Sequence, residues 1–295
     1  MKKLIKWLLG IVLSFAIFFG GIFLFVKIKY DVNLFSLIKQ VNILNENVDE
    51  STIFTNKIVY SEDMKSIKDT MDTKIPGLIT YDESTDTYAI GESIPVGIVW
   101  TKIDLTDRQS GAILQTLLKS SKANANVTFG SKKIDMQLVE VSFLSLNEET
   151  KATTIKIVIK LDLSEVKSEW KSFPLSTIAK KVPDNLYISS TVDVTKNDGE
   201  FSYTVASNSI TINKLNSKQT EHFIKALNVL SGIGTANELN LTIGEAFING
   251  LIGYDDDHTG FAYALKNVVG NGVKDFDFEK IDDIIYFVLK SNTST

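Results

Sequence analysis

Cysteine is absent from the 295 residues, which removes disulfides, thiolate metal sites and cysteine nucleophiles together. Histidine is nearly absent: only His222 and His258 occur, and neither stands in H-E-x-x-H or another ligand spacing, so no zinc enzyme is expected. Only four prolines are present, and no long low-complexity tract interrupts the chain, so wholesale disorder is excluded on composition. Arg108 is the single arginine among 31 basic residues, and this lysine bias, with many Ile and Asn, is that of an AT-rich bacterial genome. There is no G-x-S-x-G elbow and no Gly-x-x-x-x-Gly-Lys-Ser/Thr phosphate loop.

One long apolar run stands out. From Trp7 to Val26 about 20 residues carry no charge, and at ~1.5 Å per residue such a helix crosses ~30 Å of hydrocarbon. Lys2, Lys3 and Lys6 precede it, Lys27 and Lys29 follow it, and Trp7 and Tyr30 mark the interfaces, which favours a cytoplasmic N-terminus and a single pass. A cleaved signal peptide is the competing reading. It is disfavoured because the run exceeds the usual 7–15 residues and no A-x-A site follows. Residues 1–30 hold five lysines and no acid, so the remainder has 26 basic against 36 acidic residues, a net charge of −10. Such a domain is repelled by nucleic acid and by anionic lipid, and any contact with lipid must rest on apolar surface.

The expected fold class is α+β, with the anchor followed by a long curved antiparallel sheet packed with several helices. The chain divides into an anchor and flanks at 1–30, a juxtamembrane helix and link at 31–57, an extracytoplasmic domain at 58–290 and a polar tail at 291–295. In the second unit Leu34, Leu37, Ile38, Val41 and Leu44 repeat at helical spacing, which suits either a membrane-surface helix or the first helix of the domain. The acidic stretch Asn45–Thr52 reads as a solvated link.

Strands dominate the middle. Ile155, Ile157, Ile159, Leu161 and Leu163 alternate with Lys156, Val158, Lys160 and Asp162, so one face is apolar. Upstream, Ile134, Met136 and Leu138 share one parity while Val141 and Phe143 take the other, which predicts a bulge or a bend within a long strand, and a turn is expected at Asn147–Thr150. Leu186, Ile188, Val192 and Val194 alternate up to Lys196-Asn197-Asp198-Gly199, and Phe201, Tyr203 and Val205 return, a hairpin on an Asp-Gly turn.

Three helices open with similar words. Thr106 with Gln109 and Asn216 with Gln219 are capping boxes, and Leu241-Thr242-Ile243-Gly244-Glu245 is read as a third start before Phe247, Ile248 and Leu251. With Ile75-Pro76-Gly77-Leu78 and Val182-Pro183-Asp184-Asn185-Leu186 upstream of the first two, duplicated halves at about 75–180 and 181–290 are suggested. The end of the chain reads as a helix over Glu279–Lys290 burying Ile281, Ile284, Ile285 and Val288.

Other features carry less. Gly232-Ile233-Gly234 follows a helix instead of a strand, so a helix C-cap explains it better than a dinucleotide loop. Tyr254-Asp255-Asp256-Asp257-His258-Thr259-Gly260 resembles the start of a calcium loop, but Lys266 stands where the bidentate Glu is needed, so a solvated loop is expected. Asp282 and Asp283, adjacent on a presumed helix, would point apart and share no substrate.

The anchor, the capped helix after Leu105, the long strands and the Val182-Pro183-Asp184-Asn185-Leu186-Tyr187-Ile188 lead into the last hairpin together resemble anchored bacterial envelope proteins of the YpmS type, over residues 95–230. Those resemble tubular lipid-binding domains. The resemblance implies an apolar groove for a lipid or other amphiphile, lined here by Ile155, Ile157, Ile159, Leu161, Leu186, Ile188 and Val192. The expected function is therefore a non-enzymatic binding domain, without metal or cofactor, held outside the cell membrane. Its alternative is a structural or interaction module for another envelope protein, with no small-molecule ligand.

Overall fold

A computed structural model describes residues 34–50, 54, 56–91, 97–120, 128–129, 132–133, 135–165, 183–197, 200–205, 209–231, 235–253, 260–266 and 273–291. The anchor read at 7–26 lies outside them, and among the described residues no helix is long and apolar enough to cross a membrane. The fold is α+β, with antiparallel sheets and six α-helices among the described residues.

The main sheet grows from the alternating runs. Strands β6 (Asp135–Leu146), β7 (Ala152–Asp162) and β8 (Asn185–Asn197) pair in chain order, antiparallel. On the far edge of β8 lie β9 (Glu200–Val205) and β10 (Thr211–Ile212), one below the other. The register Asn197↔Glu200 leaves two residues for the Asp198-Gly199 turn, as the sequence predicts, although the turn residues themselves are outside the described set. The predicted bulge is present: register shifts fall between Leu138 and Glu140 and again between Phe143 and Ser145. The buried Gln115 side chain accepts the Leu138 N–H through its Oε1 at 2.5 Å beside the first shift. The Asn147 turn is also present, its side-chain oxygen accepting from the amides of Glu149 and Thr150 at 3.0 Å.

The helices close the apolar face. Helix α1 (Leu34–Leu44) sends Val41 and Leu44 into the main core, so at that end it behaves as the first helix of the domain. Helix α2 (Tyr60–Lys74) buries Met64, Ile67 and Met71, one stripe at helical spacing. Two short strands, β1 (Ile79–Asp82) and β2 (Thr87–Ile90), form a hairpin, and β3 (Lys102–Leu105) leads into α3 (Asp107–Ser120). Helix α3 is buried at every residue from Ser110 to Thr116. Its box is made as read: Thr106 N–H donates to Gln109 Oε1 at 2.9 Å and Gln109 N–H to Thr106 Oγ1 at 3.2 Å. Gly111 permits close approach there, since a Cβ would come within 2.5 Å of Ile58 Cδ1 and 3.2 Å of Val141 Cγ2 and push those side chains aside. Helix α4 (Ser217–Ser231) carries the matching Asn216–Gln219 box, both bonds at 3.0 Å.

Two sequence expectations are corrected. The helix containing Thr242 is α5 (Ala236–Phe247), and it starts earlier, on a Thr235–Glu238 capping box. Thr242 sits inside it and donates its hydroxyl to the Glu238 carbonyl at 2.7 Å. The helix continues into a π-turn (Ile248–Ile252), followed by the short α6 (Phe261–Lys266).

The second correction is larger: Glu279–Lys290 is not a helix. It belongs to β11 (Val273–Ile281) and β12 (Ile284–Ser291), a hairpin whose turn is Asp282-Asp283 at φ 48° and 67°. Short polar residues tolerate that left-handed turn, and Tyr286, Phe287 and Val288 favour a strand. The two-residue turn puts Ile281, Ile284 and Val288 on one face of the hairpin and Ile285 on the other, and Ile284, expected to be buried, is 52% exposed. Strand β12 also pairs with β3, giving a three-stranded sheet. Ser291 is therefore the buried end of β12 and no part of a solvated tail, its hydroxyl donating to the Trp100 carbonyl.

Strand pairing also runs across the suggested halves. β7 pairs with β8 over the 180/181 boundary, and β3 of the first half pairs with β12 of the second. The two stretches share sheets instead of forming separate units.

Candidate functional site

The seven residues proposed to line a groove are side by side, but they face inward on a covered surface. Ile155, Ile157, Ile159, Leu161, Leu186, Ile188 and Val192 are all between 0 and 6% exposed and belong to one core with Ile113, Phe223, Ile243 and Phe247 from helices α3, α4 and α5. Gly244 brings α5 down on this face: a Cβ there would stand 3.0 Å from Val192 Cγ1 and 3.1 Å from Tyr203 Cδ2. Ser190 interrupts the apolar row of β8, and its hydroxyl donates to Asn240 Oδ1 at 2.8 Å. Asn240 in turn donates to Ser209 Oγ at 2.8 Å, a buried polar tie between α5 and the sheet. In this structure the seven side chains belong to the core.

The opposite face of the sheet holds the chemistry that sequence reading missed. Lys156, Val158 and Lys160 of β7 point outward beside Tyr187 of β8, and the stretch read as a solvated link crosses them. Glu46 is 3.5 Å from Lys214 near β10. Glu50 Oε1 accepts from the Tyr187 hydroxyl at 2.6 Å and from Lys160 Nζ at 2.8 Å, and its other oxygen pairs with Lys57. Phe54 is 6% exposed, with its ring centroid 5.3 Å from that of Tyr187, in a small apolar cluster with Val139 and Val158. Asn56 donates to the Val141 carbonyl at 3.0 Å, and Ile58 N–H to the Val139 carbonyl at 2.8 Å. The segment thus passes over β10, β8, β7 and β6 in turn. The signal for it was Val158, an apolar residue in the outward parity between two lysines, which requires a cover of its own.

Burial by itself would raise the Glu50 carboxyl, but the hydrogen bonds from Lys160, Lys57 and Tyr187 outweigh it and lower the pKa from 4.5 to about 2. The Tyr187 phenol is pushed upward by burial and by its bond to the Glu50 carboxylate. Since the folded value lies below the unfolded one, this stabilisation is complete above pH 4.5 and is lost as pH falls through about 2. Glu50→Gln is expected to lower the melting temperature of the full chain at pH 6, and the difference from wild type should shrink steadily toward pH 2. A constant difference across that range would show that the carboxylate charge contributes nothing.

Beneath the same segment, Glu140 is 1% exposed, 2.9 Å from Lys156 Nζ, and accepts from Ser142 Oγ at 2.8 Å. Elsewhere, Arg108 pairs with Asp63 at 2.8 Å, while Asp63 Oδ2 accepts the Val59 N–H at the start of α2, so the single arginine serves a helix terminus. The rings of Tyr81 and Tyr88 lie tilted at 36° with centroids 4.7 Å apart on the β1–β2 hairpin, and Lys119 lies 3.9 Å over the ring of Tyr60. His222 is exposed on α4. Among the described residues no three His, Asp or Glu are grouped to hold a metal. The Asp255–Thr259 loop, His258 and Gly232–Gly234 lie outside those residues. No protein-family model, no curated protein and no solved structure matches the chain.

Proposed function

We propose that the chain is a non-enzymatic module, tethered by its N-terminal helix with the domain outside the cell membrane, that acts by presenting its surface to another envelope protein. One observation carries this reading over a lipid carrier: the apolar face of the main sheet is closed by the protein's own helices, down to 0–6% exposure at all seven groove candidates. Fold likeness alone would not decide between the two. The anchor rests on the uncharged run from Trp7 to Val26 and its three preceding lysines.

The test uses the full chain in cells. External protease should degrade the domain while the N-terminus stays protected. A photo-crosslinking residue placed in turn at Tyr81 and at Asp162, the next outward residue along β7 from Lys160, should yield a discrete adduct with one envelope protein. Lipid extracted from the purified chain should be substoichiometric. One bound acyl lipid per chain, with no protein adduct at either position, would overturn the module reading and restore the groove.

A further inference from the structure

We infer that the outer face of the main sheet is a recognition site for an acidic, aromatic-bearing peptide segment of a partner protein, and that Glu50 and Phe54 occupy it in the resting chain as an internal ligand. The inference rests on the module reading and names its surface.

The face recognises two things four residues apart. Lys160 and the Tyr187 hydroxyl converge on one carboxylate at 2.8 and 2.6 Å, an arrangement that binds an acidic side chain through charge-assisted bonds. Next to it Val139, Val158 and the Tyr187 ring seat an aromatic ring, here that of Phe54, with Lys156 at 5.9 Å from it. Lys156 is already paired with Glu140, so Lys160 supplies the positive charge of the site, which is complementary to an acidic side chain on a domain whose net charge is −10.

The seating is separable from the fold. Phe54, Val139, Val158 and Tyr187 form a cluster apart from the main core, and the residues that close the inner face take no part in it. Lifting Glu50 and Phe54 away leaves the core behind β7 and β8 intact. The chain runs from Glu50 back through α1, so in sequence this contact stands between the apolar run at 7–26 and the main sheet. A tethered segment competes at an effective concentration of order millimolar, so a partner with the same grip binds appreciably only when the resting contact is weakened.

The probe is a fluorescent peptide of residues 45–58, titrated by anisotropy into the full chain in nanodiscs. The chain opened by Glu50→Gln with Phe54→Ala should bind it saturably, and wild type at least tenfold more weakly. Adding Lys160→Met to the opened chain, or Glu50→Gln to the peptide, should each reduce affinity tenfold or more. An opened chain that melts cooperatively yet binds no peptide, or binds it regardless of Lys160, would overturn the inference. Hydrogen exchange on wild type decides independently of the variants: the Phe54 amide should exchange at least tenfold faster than those of Ile157 and Ile188. Equal rates would make the segment a fixed part of the fold. A partner adduct from Tyr81 without one from Asp162 would end this inference and leave the module reading standing. Adducts at neither would end both.

Discussion

Ile157→Glu is expected to abolish cooperative unfolding of the domain. Ile157 is 3% exposed on the inner face of β7, opposite Val141 on β6 and Ser190 on β8. A glutamate there has no cation within its own parity, because Lys156 and Lys160 point to the other face. An unpaired charge in a packed interior costs several kcal/mol, against a total of ~5–15 kcal/mol for a domain. The full chain in detergent should lose its near-ultraviolet signal without a sigmoidal denaturant transition. If the same face were a groove open to a ligand, the carboxylate would reach water, the transition would survive with a modest shift, and only lipid capture would suffer. A cooperative melt within about 1 kcal/mol of wild type would therefore reverse the assignment of these residues to the core.

The features legible in the sequence are those whose cause is local. The alternation of 155–163, the Asp-Gly hairpin after Asn197 and the caps at Thr106 and Asn216 are each fixed by a few neighbouring side chains, and each is found. The change of parity around Leu138 was also legible, since a bulge must put two residues of one strand opposite one of its partner. The closing of the inner face was not, because it depends on how near the helices come. Gly111 and Gly244 allow that approach, and nothing in a single sequence marks a glycine as a contact point. The C-terminal hairpin failed for another reason. Apolar residues at 281, 284, 285 and 288 satisfy a helix and a hairpin alike, and only pairing with the distant β3 resolves the ambiguity. Glu50 was read as solvated because acidic composition predicts exposure, whereas its partners Lys160 and Tyr187 lie more than a hundred residues away.

Lys156→Met should be nearly as damaging as a core substitution, although Lys156 itself is partly exposed. Its ammonium neutralises Glu140, whose side chain retains only 2% of its exposure and has Ser142 as its other contact at 2.8 Å. Methionine keeps the aliphatic stem, so the change isolates the charge. Removing one partner of a buried ion pair leaves the other without compensation, at a cost of about 3–5 kcal/mol. For a domain of this size each kcal/mol lowers the melting temperature by roughly 2–4 °C, so a fall of about 10 °C is expected. Glu140→Gln should be milder, because the Lys156 side chain it leaves unpaired is 28% exposed and its ammonium can turn to water. Combining the two changes should recover most of the loss, since a neutral amide beside Ser142 needs no cation. The asymmetry between the two single variants is the decisive reading. If Lys156→Met and Glu140→Gln cost the same and their effects add, the pair is two independent surface charges and the carboxylate under the crossing segment is not buried.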